Sequence, residues 1–471
     1  MKNINNSILL AVSGLFLILI SPQFLSEGMF MDGTYYATIA RNMAEGIGSF
    51  WKPHLTSTVG PIFLDHPPLA FGLQSIGFWV FGDSLFVERF YSLSTFVVTA
   101  YFISLIWKNC VKKEFRAYFW IPLLLWLTVP KMIWSVSNNM LENTLMVFII
   151  TSIWAQIKFI KTEKIFWLIF SGFLLFLGFL TKGLVALFPL SFLFFYRVFK
   201  KDLKLIKMVF QYLVLIGGLL FPFLILYVIM PEGIESITNY FEIQVVNSLK
   251  NEQTVSSRFY ILRKAFEESL VMIILSVILL VLNKRYFKIQ GVFQQERTLW
   301  IWVFTATAFS GVLPILVSLK QSVFYINPVF PLFAIVVALV IAPIIIPFIQ
   351  KVEIKKKAIR GFKFLGIGFF AIGLVAIFSQ VGKTNREQDK LSDIKTILSI
   401  VPENSTIYIG QDIYREWSLH GYFNRYGKVN LNWKNPEDYA FMIRGKGNLD
   451  SPPNGFIVSS VELKTLELLT K

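Results

Sequence analysis

Residues 8–25, ILLAVSGLFLILISPQFL, form an unbroken apolar stretch without a charged side chain. At about 1.5 Å of rise per helical residue, such a run nearly crosses the roughly 30 Å of hydrocarbon in a bilayer. Lys2 precedes it as in a secretory signal, but Pro22, Gln23 and Phe24 occupy the places where a signal peptidase requires small residues. The run is therefore expected to persist as a first membrane helix. Similar stretches follow near 86–107, 117–134, 140–157, 165–180, 183–197, 207–230, 265–283, 298–318, 323–349 and 361–379, which predicts an all-α polytopic membrane protein with about eleven spans.

Composition agrees with that reading. Of 471 residues 55% are hydrophobic, with 48 Phe and 12 Trp, more apolar surface than the core of a water-soluble domain of this length can use. The net charge of +16 is not a nucleic-acid footprint, because Lys and Arg fall in short clusters between apolar runs instead of along one face. Cys110 is the single cysteine, which excludes an internal disulfide and a cysteine-based metal cluster. No internal repeat or long Gly/Ser-rich linker stands out.

The basic clusters set an orientation. With a cytoplasmic N-terminus, the cytoplasmic connections hold Lys108, Lys112, Lys113 and Arg116; Lys158, Lys161 and Lys164; Arg197, Lys200, Lys201, Lys204 and Lys207; Lys284, Arg285, Lys288 and Arg297; and Lys351, Lys355, Lys356, Lys357 and Arg360. The first outer segment, 26–85, has only Arg41 and Lys52. This is expected to set the chain in an inner membrane with segment 26–85 and the tail 380–471 outside the cytoplasm. Residues 1–379 then make a membrane domain and 380–471 a small α/β domain, with strands expected at Thr406–Ile409 and Phe456–Ser459 and helices at Asp393–Ile400 and Val461–Leu469.

Within segment 26–85, Tyr36, Ile39, Ala40 and Met43 repeat at helical spacing, which predicts an amphipathic helix on the bilayer surface ending at Gly46 and Gly48. A second helix, Leu69 to Phe81, follows Asp65-His66-Pro67-Pro68 and stops at Gly82. Asp32 has two readings: an N-cap carboxylate, or a base held at the interface to take a proton from an attacking hydroxyl. His66 is either a solvent-exposed turn residue or an imidazole fixed by the two prolines to contact a phosphate. Asn139 and Glu142 read as a capping box or as a second acidic site. Lys182 reads as a snorkelling side chain or a phosphate contact.

The order of several of these residues resembles one enzyme family. Asp32 after the first span, the helix Tyr35–Met43, Pro67-Pro68-Leu69, Phe81-Gly82-Asp83, Glu88-Arg89, Phe179-Leu180-Thr181-Lys182-Gly183, and Ser322 to Pro331 with Tyr325 and Pro328 are similar to the bacterial lipid A aminoarabinose transferases and protein O-mannosyltransferases, the type C glycosyltransferases. The likeness covers roughly residues 8–345 and rests on the order of the motifs. It implies a type C fold, a polyprenyl-phosphate sugar donor, inverting transfer at the extracytoplasmic face to a lipid, glycan or protein acceptor, and Asp32 as catalytic carboxylate with Glu142 as its partner. It adds weight to phosphate contact by Lys182. Two departures stand out: Tyr35 replaces the arginine that many relatives carry three positions after the acid, and His66 replaces the lysine before Pro-Pro.

Tyr35, Arg258, Arg263 and Tyr325 complete the candidate donor or substrate contacts; lipid headgroups would satisfy the two arginines equally, and Tyr325 also suits an aromatic belt. His54, His66 and His420 all fall outside the cytoplasm, which leaves room for a divalent metal, although no H-x-x-x-H spacing or acidic pair supports one. The rival class is a transporter or flippase of a lipid-linked sugar, which would place ionisable groups and broken helices at mid-membrane.

Overall fold

The computed structural model describes residues 2–246, 252–289, 295–353, 356–453 and 455–471. Lys355, of the fifth basic cluster, and residues 247–251, in the loop before Arg258, lie outside the described residues. The helices in chain order are α1 (Lys2–Phe24), α2 (Met31–Ala44), α3 (Leu69–Phe81), α4 (Val87–Cys110), α5 (Trp120–Leu127), α6 (Pro130–Ser137), α7 (Leu141–Thr162), α8 (Phe166–Lys182), α9 (Leu190–Lys200), α10 (Leu205–Ile229), α11 (Pro231–Tyr240), α12 (Tyr260–Glu268), α13 (Leu270–Leu282), α14 (Gln295–Val312), α15 (Phe330–Glu353), α16 (Lys356–Phe378), α17 (Gln388–Leu398) and α18 (Trp417–Gly427). Among the described residues nine helices are long and apolar enough to cross a membrane, and α5 with α6 forms a tenth candidate bent by 84°. The bend follows from Pro130, which keeps Val129 extended (φ −87°, ψ 109°). The chain is a multi-pass membrane protein.

The run 183–197 is built in two pieces, a 3-10 turn, Gly183–Leu187, and the 11-residue α9, which lead back from Lys182 to the far end of α7, where Lys207 pairs with Glu163 at 3.0 Å. Gly183 takes φ +67°, and a Cβ on Gly178 would lie 3.0 Å from that of Ala186, so the chain reverses at Gly183 and returns along α8. The eleven apolar stretches thus correspond, among the described residues, to nine long helices, the bent pair and this two-piece return leg.

Close backbone packing brings the two ends of the membrane region together. A Cβ on Gly14 would lie 2.4 Å from the Phe369 carbonyl carbon, and one on Gly373 2.6 Å from Leu17 Cβ. Small residues allow α1 and α16 this approach, the usual route to tight association in lipid. The segments leaving these helices consequently meet: the Glu27 amide donates to the Lys383 carbonyl at 2.8 Å.

The tail folds into a five-stranded sheet ordered β2-β1-β3-β5-β4, from β1 (Thr406–Ile409), β2 (Asn430–Asn432), β3 (Phe441–Gly445), β4 (Ile457–Val458) and β5 (Leu466–Thr470). β2, β1 and β3 are parallel; β5 runs antiparallel to β3 and β4. Leu391, Ile394, Ile407, Leu419, Tyr422, Phe423 and Leu468 build its core with α17 and α18. The helix expected over Val461–Leu469 is instead strand β5. Its leucines carry good helix propensity, but Leu466, Leu468 and Leu469 are buried by pairing with β3, and tertiary burial overrides propensity.

Helix α2 is enclosed by protein instead of leaving a polar face open: Tyr36 through Asn42 are all buried, the polar Arg41 and Asn42 included. One side packs on α3 and α7, and the other is covered by α18. Arg41 donates to the Asn424 carbonyl at 2.9 Å and its Oδ1 at 2.8 Å. Beside it Arg425 forks onto Glu88 (3.2 and 3.1 Å) and reaches Asp83 at 2.5 Å. Helix α3 matches expectation in range and in its stop at Gly82, φ +72°, and it exposes Trp79 and Phe81.

Arg425→Ala strands Glu88, a carboxylate only 1% exposed. Removing one partner of a buried pair costs roughly 3–5 kcal/mol, so the variant is expected to lose thermal stability by that order in a detergent-solubilised melt. An unchanged midpoint would mean that the tail does not depend on this contact.

Candidate functional site

The site forms where α2, α7, α8 and the Val323–Val329 turn converge below the α/β unit. Its placement begins with backbone contacts. The Phe30 amide donates to Asn138 Oδ1 at 2.8 Å, and Asn139 Nδ2 donates to the Gly33 carbonyl at 3.2 Å. Gly33 is required there, because a Cβ would lie 2.0 Å from the Asn138 carbonyl oxygen. The two asparagines therefore seat the first turn of α2 against the start of α7. The capping-box reading of Asn139 and Glu142 does not materialise: no side chain caps α7, Asn139 adopts φ +50°, and Glu142 points elsewhere.

Asp32 is the second residue of α2, with Phe30 at the cap position and no side-chain cap bond. The N-cap reading is thus replaced by a half-buried carboxylate that has no hydrogen bond or ion pair among the described residues. Burial pushes its pKa from 3.8 up to about 6; Lys182 opposes the rise, and Glu142 and Asp65 add to it. Lys182 ends α8 and is 7% exposed, so it is not a snorkelling side chain. Its ammonium pairs with Glu142 Oε1 and lies 4.9 Å from the Tyr325 ring centre and 5.5 Å from that of Phe324. Glu142 is fully buried, and its Oε2 has no partner among the described residues.

His66 packs 5.8 Å from the Tyr36 ring. Burial holds its pKa well below the usual value, reinforced by Lys182 and Lys320, so its imidazole is neutral at pH 7. Tyr36 stands one helical turn after Asp32, on the same face, and its phenol is raised well above its usual pKa by burial and then by Asp32 and Glu142. Asp32, His66, Glu142, Lys182 and Tyr325 are thus brought together, with Tyr36 as a member the sequence reading missed. The i, i+4 spacing from Asp32 was the available signal.

Three candidates lie elsewhere or face away. Tyr35 turns toward the tail, and its hydroxyl donates to the Trp417 carbonyl at 2.8 Å. Arg258 donates to the Val317 carbonyl, and Arg263 pairs with Glu267 at 3.3 Å. Lys320 is engaged by Gln244 at 3.1 Å and Glu252 at 2.6 Å. The histidines do not converge either: His54 Nδ1 meets the Pro61 carbonyl at 3.0 Å and His420 Nε2 the Tyr414 carbonyl at 2.9 Å. Among the described residues no group of three or more His, Cys, Asp or Glu is placed to hold a metal.

A 570 Å³ groove runs beside the cluster between α1, α5, α6 and α13, lined by Leu15, Leu19, Leu124, Leu127, Ile133 and Trp134 among others. Trp134 forms its wall toward the site: the ring is 5.1 Å from Phe30 and stacks 6.0 Å from Phe324, which itself faces Lys182.

The fold is shared with known proteins. The structure matches that of ArnT from Cupriavidus metallidurans bound to undecaprenyl phosphate with a TM-score of 0.66 at 14% identity, over 98% of this chain and 97% of that one. The chain has the type C glycosyltransferase fold. A second type C likeness is to the archaeal oligosaccharyltransferase AglB from Archaeoglobus fulgidus, with a TM-score of 0.53 at 10% identity over 93% of this chain and 69% of that one. In sequence, residues 65–227 match the family described as dolichyl-phosphate-mannose-protein mannosyltransferase. A stretch of 160 residues is 27% identical to the undecaprenyl phosphate-alpha-4-amino-4-deoxy-L-arabinose arabinosyl transferase of Yersinia enterocolitica, spanning 33% of this chain and 28% of that relative. Within the type C fold, the matched residues 65–227 include His66, Glu142 and Lys182.

Because the folded-state pKa of Asp32 lies above 3.8, ionisation works against folding. The penalty is absent below 3.8, grows as pH rises and is complete above about 6, where it is on the order of 3 kcal/mol. Asp32→Asn is therefore expected to raise the melting temperature at pH 7 and to leave it unchanged near pH 4. Equal shifts at both pH values would contradict the assigned environment.

Proposed function

We propose that the chain transfers a sugar from a polyprenyl-phosphate donor to a hydroxyl acceptor on a lipid, glycan or protein, at the extracytoplasmic face of a bacterial inner membrane. The observation that carries this reading is the unpaired, half-buried Asp32 carboxylate beside the buried Glu142–Lys182 pair, at the end of an apolar groove. A buried carboxylate without partners is costly, and such a cost persists where chemistry uses it.

In the proposed step the acceptor oxygen attacks the anomeric carbon, its proton passes to Asp32, and the bond to the phosphate oxygen breaks with its electron pair, releasing polyprenyl phosphate with inversion. Phosphate leaves readily, so the site needs positive charge near it more than an acid. Lys182 would supply that charge, held by Glu142 and the faces of Phe324 and Tyr325. Neutral His66 would donate one N–H to a phosphate oxygen, where relatives use lysine. The groove bounded by Trp134 suits a linear isoprenoid, and Lys131 Nζ lies 4.1 Å from the centre of the same ring, adding a cation near the groove. The ArnT structure of the same fold holds undecaprenyl phosphate.

Orientation rests on helix α7. Its first turn carries Glu142, and its last carries Lys161, about 30 Å away. With the basic clusters gathered at the far end, the positive-inside rule puts residues 1–379 across the membrane with the site and the 380–471 domain outside.

With radiolabelled polyprenyl-phosphate sugars and membrane extract, wild type is expected to form a glycosidic product. Asp32→Asn should reduce the rate by at least about a hundredfold with normal insertion, the usual contribution of a positioned base. Product formation by Asp32→Asn at the wild-type rate would remove the assignment; lipid movement without a new glycosidic bond would favour a flippase. The pH profile is a separate expectation: kcat/KM should fall as pH drops through about 6, the value at which Asp32 takes up its proton. A limb near the ordinary carboxylate value of 3.8 would show that another acid controls the rate.

A further inference from the structure

Above the Asp32 cluster the tail presents an aromatic surface that the transfer step leaves unused. Trp417, the first residue of α18, is 42% exposed. Its ring rests 5.5 Å from that of His420, which in turn meets Trp433 edge-on at 5.9 Å, and Trp433 lies 5.8 Å from Tyr414. His420 is 1% exposed, burial keeps its pKa below the usual value, and its Nδ1 has no partner among the described residues. An exposed indole is therefore backed by a buried, neutral His420 and its aromatic neighbours, and that imidazole holds a polar atom without a partner among the described residues.

The position of this stack relative to Asp32 is set by Tyr35. Its hydroxyl donates to the Trp417 carbonyl at 2.8 Å, and its ring lies against Gly421, where a Cβ would approach it to 2.9 Å. Tyr35 is also close enough to Asp32 and Asp65 for both to raise its pKa, after burial. Tyr35 thus links the Asp32 end of α2 to the Trp417 backbone at the start of α18. Charged groups flank the indole: Arg415 and Glu416 precede it, and Lys390 pairs with Glu416 at 3.0 Å. A pyranose, with an apolar C–H face and a hydroxyl rim, matches an aromatic plane bordered by polar groups.

We propose that Trp417, backed by His420 and held by Tyr35, stacks against a sugar ring of the acceptor, forming a saccharide subsite on the water side of the transfer centre. The proposal rests on the transferase reading and specifies the acceptor as sugar-bearing. The donor sugar is excluded from this position because its phosphate belongs on the Lys182 side. Prior fixing of the indole lowers the ordering cost of binding, so the subsite contributes to affinity more than to the chemical step.

Two measurements test it. The first is saturation-transfer NMR on protein in lipid nanodiscs free of sugar detergent, titrated with methyl glycosides of glucose, mannose, galactose and N-acetylglucosamine. At least one glycoside is expected to receive magnetisation from wild type, to lose it in Trp417→Ala and to retain it largely in Trp417→Phe. Absence of any wild-type signal, or a signal unchanged in Trp417→Ala, overturns the subsite whether or not transfer occurs. The second is a kinetic split, with membrane glycolipid extract titrated at saturating donor. Trp417→Ala should raise the acceptor KM about tenfold with kcat and donor KM little changed, and Trp417→Phe should restore most of it. A fall in kcat at constant acceptor KM would show a structural role instead. Failure of wild type to make a glycosidic bond would count against the transferase reading, while the NMR result decides the subsite independently.

Discussion

Helix α2 is gripped from two directions by buried polar contacts, and the position of Asp32 depends on that grip. From below, Asn138 and Asn139 take the Phe30 amide and the Gly33 carbonyl, and the glycine at 33 lets the backbones touch. From above, Arg41 binds Asn424, and Tyr422 accepts the Met29 amide at 3.2 Å while its hydroxyl donates to the Met29 carbonyl at 2.6 Å. Hydrogen bonds to buried backbone groups are costly to break, so both ends of the helix are fixed to within a side-chain hydrogen bond. A carboxylate that makes no bond of its own is consequently held in place by its helix.

The grip exists because the ends of the membrane region are adjacent. Glycines on α1 and α16 allow their backbones to approach, so the segments that leave them run side by side from Glu27 and Lys383. The α/β unit is thereby delivered over the first loop, where α18 can cover α2. Arg425 then finds Asp83 and Glu88, acids far away in sequence, and with Arg41, 3.6 Å from Asp83, the four neutralise one another in a place where an isolated charge would be expensive. The same economy operates in the site, where Lys182 and Glu142 pair with each other and leave Asp32 outside the pair.

What the sequence by itself determined was everything that depends on the solvent and on local geometry. Runs of apolar residues near the length of a bilayer specify membrane helices, and Pro67-Pro68 and Gly82 bracket α3 at its observed limits. The order of Asp32, His66, Glu142, Lys182 and Tyr325 was legible as a family likeness, and these residues do gather in the fold.

Tertiary structure alone decided which partner each polar group takes, because those partners are distant in the chain and no local period encodes them. Asn139 became a seat for α2 instead of a cap, Tyr35 a contact to Trp417, and Arg258 a ligand of backbone carbonyls. The leucines of 466–469 read locally as helix and became a strand, since burial against β3 outweighs a propensity of a few tenths of a kcal/mol per residue. Helix α2 reads as amphipathic only until α18 covers its polar face, and Trp417 acquires its contact to Tyr35 only when that happens.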